Sequence, residues 1–309
     1  MDEILLTNWE SQSQARINDA QTVLPLARMP GMANECIDAH HHLWRYQPEE
    51  YPWMGDGMEI LRRDYLTAEL EEVTRAAGVT GTIVVQARQT MQETEWLSNL
   101  AARSDLIRGV VGWAPLASLD VGKELERLAV LPNMKGMRHA LHDELDPFYM
   151  LRDDFNRGIG LLKHYGLRYD LLVFESHLPQ TIEFVDRHPN QIFIVDHIAK
   201  PRIRDRALSP WKRELNELAQ RSNVYCKVSG MVTEAKWDSW TAEELTPYFE
   251  TVFEAFTPRR TMFGSDWPVI TLASKYCSWV ELVKRVICKF SPDEQERVLA
   301  GTAVEAYEL

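Results

Sequence analysis

The sequence predicts an α/β protein, a (β/α)8 TIM barrel carrying an N-terminal extension. Three observations predict it. Eight short apolar runs alternate with longer amphipathic stretches. Reactive side chains cluster where three of those runs end. The 309 residues fit one barrel of about 250 residues plus an extension.

Residues 1–35 are polar, with one apolar cluster at Val23-Leu24-Pro25-Leu26. They are assigned to a partly helical extension, and residues 36–309 to a single barrel domain. The strand candidates are Cys36–Ala39, Gly81–Ala87, Gly109–Trp113, Lys135–Arg138, Leu167–Leu171, Ile192–Val195, Val224–Val228 and Met262–Ser265. Helical spacing of apolar residues marks Thr67–Ala77, Glu93–Arg103, Asp120–Ala129, Asp153–Tyr165 and Pro210–Gln220. The stretch Trp44–Asp64, rich in Pro, Gly, Trp and acids, is too irregular for a helix and is expected to be a lid after the first strand.

Composition narrows the function classes. A formal charge of −12 argues against nucleic acid, which needs a basic face. It also favours a neutral or weakly anionic small molecule over a dianion. No apolar run approaches the ~18 residues needed to span a bilayer. The start, Met1-Asp2-Glu3-Ile4, lacks a basic region followed by an apolar one, so no signal peptide is expected. The four cysteines form no C-x-x-C pair. The expected location is the cytoplasm.

Chemistry concentrates at the ends of strands one, six and eight, the face where barrel enzymes build their sites. The first strand runs into Asp38-Ala39-His40-His41-His42-Leu43-Trp44. Alternation puts His40 and His42 on one face and His41 on the other, a half-site for a divalent ion such as zinc. The bland alternative is a surface histidine cluster. His197 follows the apolar run Ile192–Val195, where it either binds a metal, polarises a carbonyl or serves as a hydrogen-bonded structural residue. Asp196, of opposite parity, is read as its orienting partner or as a loop cap. Asp266 follows Met262-Phe263-Gly264-Ser265 and is either a helix cap or, opposite two histidines, a general base for water.

The segments Asp38–Trp44 (DAHHHLW), Val195–Pro201 (VDHIAKP) and Phe263–Val269 (FGSDWPV) resemble the signatures of the amidohydrolase-related family. Within that family they are similar to the sugar lactonases, such as L-fuconolactonases and L-rhamnonolactonases. Further matches are Tyr51-Pro52-Trp53, Arg63-Asp64-Tyr65, Lys135–His139 and Tyr169–Leu172. The resemblance covers Cys36 to the C-terminus. It implies an amidohydrolase-type barrel that opens the cyclic ester of an aldonolactone. Asp266 would activate the water, with His40, His42 and His197 as catalytic support. It also implies either one divalent metal, zinc foremost, held by His40, His42, Asp266 and His197, or lactone opening without a metal. The bridging carboxylate source of binuclear relatives is missing from strand four, and strand five offers no histidine.

Candidates for substrate contact are Arg138, Gln86, His142, Trp44, Tyr169 and Trp267. Arg138 is either a fork for a carboxylate or hydroxyls, or the ion-pair partner of an acid such as Asp170. The tryptophans either wall a sugar ring or pack the lid. Lys227, Ser229 and Lys200 are weaker candidates. Three rivals stand beside the sugar lactonase: a lactonase for an aromatic-derived dicarboxylate or muconolactone, a metal-dependent decarboxylase, and a barrel that only binds. The expected partner is a small lactone, without nucleic acid or membrane, and the sequence is compatible with a homo-oligomer.

Overall fold

A computed structural model describes residues 35–309. All of the predicted extension except Glu35 lies outside the described residues.

Eight parallel strands follow in sequence order around one sheet: β1 (Ile37–His41), β2 (Gly81–Val85), β3 (Ile107–Gly112), β4 (Met134–Ala140), β5 (Arg168–Leu172), β6 (Phe193–Val195), β7 (Val224–Val228) and β8 (Thr261–Phe263). Each coincides with a predicted run, because a strand covered on both faces reads as a nearly continuous apolar segment. The seam between β8 and β1 is closed by Asp266 N donating to His40 O and His42 N donating to Trp267 O, both at 2.7 Å. Asp38 clasps the same seam, its carboxylate accepting from Ser265 N at 2.8 Å, Ser265 Oγ at 2.6 Å and Tyr276 Oη at 3.0 Å.

Between the strands lie α1 (Thr67–Ala77), α2 (Met91–Ala101), α3 (Val121–Ala129), α4 (Asp153–Leu162), α5 (Leu178–Asp186), α6 (Trp211–Leu218) and α7 (Ala242–Phe256); α8 (Tyr276–Ile287), α9 (Pro292–Glu296) and α10 (Thr302–Tyr307) follow β8. Five correspond to the periodic stretches. The start of α7 is a reciprocal cap, Thr241 Oγ1 accepting from Glu244 N while Glu244 Oε2 accepts from Thr241 N.

Two features place the site. The segment Trp44–Asp64 contains two short 3₁₀ turns, Pro48–Glu50 and Glu59–Leu61. An antiparallel bridge between Trp44 and Tyr65 ties its base. At the opposite end of the barrel the last helix is a plug. Ala303, Ala306 and Tyr307 pack against Ile37, Ile83, Ile194 and Met262, and Arg168 Nε and Lys135 Nζ donate to the carbonyls of Ala306 and Glu308 at 2.6 Å.

The loop after β2 is stitched by Glu93, whose carboxylate accepts from the amides of Ala87 at 3.0 Å and Arg88 at 2.7 Å. Burial nevertheless pushes this carboxyl up to about 7. Because that exceeds the unfolded value, the folded chain keeps a proton that the unfolded chain releases between the two pKa values. The contribution of Glu93 therefore falls as pH rises through that window and stays constant above it. Glu93→Gln should flatten this slope: the stability change between about pH 5 and about pH 8 should shrink by on the order of 2 kcal/mol in urea titrations. An unaltered slope would place the proton elsewhere.

Candidate active site

The histidine pair stands at the C-terminal end of β1. A register shift between Asp38 and His41 interrupts the alternation of β1. Ala39 joins the core cluster inside, while Asp38 turns to Ser265 and Tyr276. Beyond the shift, His40 and His42 converge and His41 turns away to Thr82 Oγ1 at 3.0 Å. Gly264 permits this approach, since a Cβ there would lie 2.9 Å from His40 Cβ.

Three imidazoles meet one carboxylate. Asp266 Oδ1 lies 3.3 Å from His42 Nε2 and 3.9 Å from both His40 Nε2 and His197 Nε2. All four residues are buried. Asp266 is in the left-handed region, with φ of 61°.

His197 begins a run of four left-handed residues, His197, Ile198, Ala199 and Lys200, with φ of 52°, 51°, 61° and 45°. Such backbone costs roughly 1–2 kcal/mol per non-glycine residue, so it persists only where the surroundings hold it. Here Trp211 Nε1 donates to Ile198 O at 2.7 Å, Lys200 N donates to His197 O at 2.8 Å, and Lys200 pairs with Glu234. His197 Nδ1 meets Ser229 Oγ at 2.9 Å. Gly230, at φ of 62°, lies under the ring, and a Cβ on it would sit 2.5 Å from His197 Nδ1. Gly230→Ala should displace this imidazole and lower kcat about tenfold or more, as misplacement of a reacting geometry does, with folding retained in a thermal melt. Unchanged turnover would show that the ring position is not critical.

The hydrogen positions follow from the partners. His42 Nδ1 donates to Val85 O at 2.8 Å, which leaves Nε2 a lone pair. His40 Nδ1 is 3.2 Å from Asp196 Oδ1, which only accepts, and Arg138 Nη1, which only donates, is 3.4 Å from His40 Nε2. Both contacts select the hydrogen on Nδ1. The two Nε2 lone pairs then face each other across 3.3 Å, beside a carboxylate oxygen and without a hydrogen between them. Such a donor set fits a divalent cation, and the acceptors behind the histidines fix their orientation. The geometric candidates for cation binding are the trios His40, His42, Asp266 and His40, Asp196, His197. Burial pushes the His40 and His197 imidazoles well below their ordinary range, so both are neutral, the form that binds metal.

Behind His40 lies a charged layer that the sequence reading largely missed. Arg138 Nη1 bonds Asp196 Oδ2 at 3.0 Å, and Lys227 Nζ contacts Asp196 Oδ1 at 3.0 Å and Asp170 Oδ2 at 2.5 Å. Burial works to raise the Asp196 carboxyl, but Lys227, His40 and Arg138 outweigh it and hold it well below the usual range. Asp196 is thus the partner of His40 and Arg138, rather than of its neighbour His197. Arg138 pairs with Asp196 and not with Asp170, and its other terminal nitrogen donates to Gln86 O. A lysine inside the apolar run Val224–Val228 was the available signal, since a buried ammonium must be paired.

Of the remaining substrate candidates, Gln86 is buried and its Nε2 donates to Arg138 O at 3.4 Å. His142 stands on the loop after β4, its ring 4.9 Å from that of Phe174; burial, with Lys200 and Arg138 adding, pushes it down to about 3. The expectation for Tyr169 is corrected. Its ring packs among Phe155, Phe184 and Phe193, between sheet and helices, because Asp170 takes the inward position. Trp44 and Trp267 are completely or almost completely buried. The Trp44 indole donates to Arg63 O at 2.8 Å and Trp267 meets Tyr65 edge-on, so both pack the base of the Trp44–Asp64 segment and present no open wall.

A closed parallel barrel with histidines from β1 and the turn after β6, opposite an aspartate after β8, is a hydrolase-type architecture with a candidate metal site. The amidohydrolase family model matches residues 37–309, and the chain belongs to that family. An L-fucono-1,5-lactonase of Burkholderia multivorans is 38% identical over 286 residues, covering 88% of this chain and 96% of the relative. An L-fucono-1,5-lactonase of Burkholderia ambifaria is 32% identical over 277 residues, covering 88% and 95%. The crystal structure of a Burkholderia multivorans amidohydrolase with bound zinc superposes with a TM-score of 0.85 at 39% identity, covering 89% of this chain and 99% of that one. Among the described residues, no helix is long and apolar enough to cross a membrane.

Proposed function

We propose that this protein is a lactonase that hydrolyses the cyclic ester of a sugar acid, with an L-fuconolactone-type aldonolactone as the leading substrate. The reading is carried by the convergence of three imidazole Nε2 atoms on Asp266 Oδ1 within 3.3–3.9 Å.

Asp266 accepts a proton from water as the oxygen of that water attacks the lactone carbonyl. When the tetrahedral adduct collapses, the bond from the acyl carbon to the ring oxygen breaks. Asp266 then returns the proton to the departing alkoxide. Proton and charge balance, and the product is an open hydroxy acid. His40, His42 and His197 would hold a zinc ion together with Asp266. Such an ion supplies positive charge for the developing oxyanion and lowers the pKa of water. Arg138 and Lys227, stacked behind His40, are balanced by Asp196 and Asp170, so this layer orients His40 without adding net charge.

The charge layer also bears on the rivals. A dicarboxylate lactone or an aromatic acid needs a free cation to anchor its carboxylate. The terminal nitrogens of Arg138 are already paired with Asp196 and Gln86 inside the protein. A neutral ring bearing hydroxyls fits better.

The test is an acid-release screen of aldonolactones with a pH indicator, with metal analysis of the same preparation. Opening of at least one 1,5- or 1,4-aldonolactone, with about one zinc per chain, is expected. Acid from no lactone, alongside decarboxylation of an aromatic acid, would overturn the reading.

A further inference from the structure

Barrel interiors of this class are ordinarily filled by layers of aliphatic side chains. Here one layer is ionic, and it reaches from the histidines to the C-terminal plug. Lys227 is completely buried, its Nζ 2.5 Å from Asp170 Oδ2, 3.0 Å from Asp196 Oδ1 and 3.3 Å from His40 Nδ1. Asp170 is in turn held by the Tyr307 hydroxyl, 2.8 Å from each of its carboxylate oxygens. Tyr307 belongs to α10, at the end of the barrel opposite the mouth.

His40 Nδ1 is contested in this arrangement. Asp196 can only accept from it and Lys227 can only donate to it. Were Lys227 to win, the ring hydrogen would move to Nε2, where it meets Arg138 Nη1, also a donor, at 3.4 Å and His42 Nε2 at 3.3 Å. Where Asp196 wins, the Nε2 lone pair stays open to the mouth. The ring gains and loses no proton in either case; only the nitrogen that carries it differs. The shortest contact of the ammonium is with Asp170, and the Tyr307 hydroxyl fixes that carboxylate where it draws Lys227 off His40.

The geometry points to Tyr307 as a positioning residue for His40, acting through Asp170 and Lys227 to keep the Nε2 lone pair turned to the mouth. This rests on His40 belonging to the hydrolytic site. It makes the last helix a working part of that site, although none of its residues reaches the mouth.

The test is Tyr307→Phe in the full chain, which removes one hydroxyl and leaves the ring in its apolar cluster. Two readouts are followed. The kcat for lactone opening should fall about tenfold or more with KM little changed, as loss of a group that orients a ligating histidine does. In protein freed of metal by a chelator, the imidazole nitrogen NMR signals of His40, assigned by their loss in His40→Gln, should shift from the Nδ1–H toward the Nε2–H pattern. Tyr225→Phe is the control. It removes a hydroxyl bond to Glu305 Oε1 of the same helix, 2.9 Å long, without touching the chain to His40. It should leave kcat and the His40 signals as they are.

Wild-type His40 signals in Tyr307→Phe, or an equal loss of kcat in both variants, would overturn the inference. Should Tyr307→Phe fail to fold, the wild-type signals decide it: an Nε2–H pattern at His40 in the intact chain would overturn the inference. A wild-type protein that opens no lactone would sink the proposed function alone, because the NMR readout does not depend on turnover.

Discussion

Asp266→Asn should lower kcat about a hundred- to ten-thousandfold, the range expected when a general base is lost. Binding should survive. The amide keeps the shape of the carboxylate, and asparagine is among the residues that best tolerate the left-handed backbone that Asp266 adopts, with φ of 61°. The backbone bond from residue 266 N to His40 O at 2.7 Å is untouched, so the seam of the barrel stays closed. The measurement is steady-state turnover of the best lactone from the screen, with ligand binding by calorimetry and a thermal melt alongside. A loss smaller than about tenfold would assign the proton to another group. Full loss with collapse of the melt would mean that the carboxylate is structural.

The second large effect concerns stability. Asp170 and Asp196 face Lys227 and Arg138 in the barrel interior, two anions against two cations, all buried. Asp196→Asn leaves this set with an uncompensated positive charge. Removing one partner of a buried ion pair costs about 3–5 kcal/mol, because the remaining charge has lost both its water and its counterion. The variant should therefore melt on the order of ten degrees lower. Its urea midpoint should fall in parallel. Stability equal to that of the wild type would show that the charges are not a mutually compensated set.

Much of this architecture can be read from residue order. All eight strands coincide with apolar runs because each is covered on both faces. The irregularity of Trp44–Asp64 announced itself by composition, and the triplet His40-His41-His42 by the alternation that points its middle member to Thr82. The same two-sided burial hides which face looks inward. Tyr169 and Asp170 could each have faced the axis, and the sequence expectation placed the tyrosine at the site when the aspartate holds the interior. The register shift in β1 is similarly silent, so the turning of Asp38 toward Ser265 had no sequence signal. The left-handed run after β6 contains no glycine, the residue that usually betrays such backbone. Pairings such as Asp196 with His40, 156 positions apart, depend on how strands meet around a cylinder, which a linear pattern does not encode.

The clasp of Asp38 on Ser265 joins residues 227 positions apart. On a translating ribosome, at roughly 5–20 residues per second, β1 therefore waits on the order of ten to forty-five seconds for its second neighbour. Throughout that interval the nascent chain exposes an unpaired parallel edge to other polypeptides. Yield in a host at raised temperature should thus be limited by chaperone supply during synthesis more than by the stability of the finished molecule.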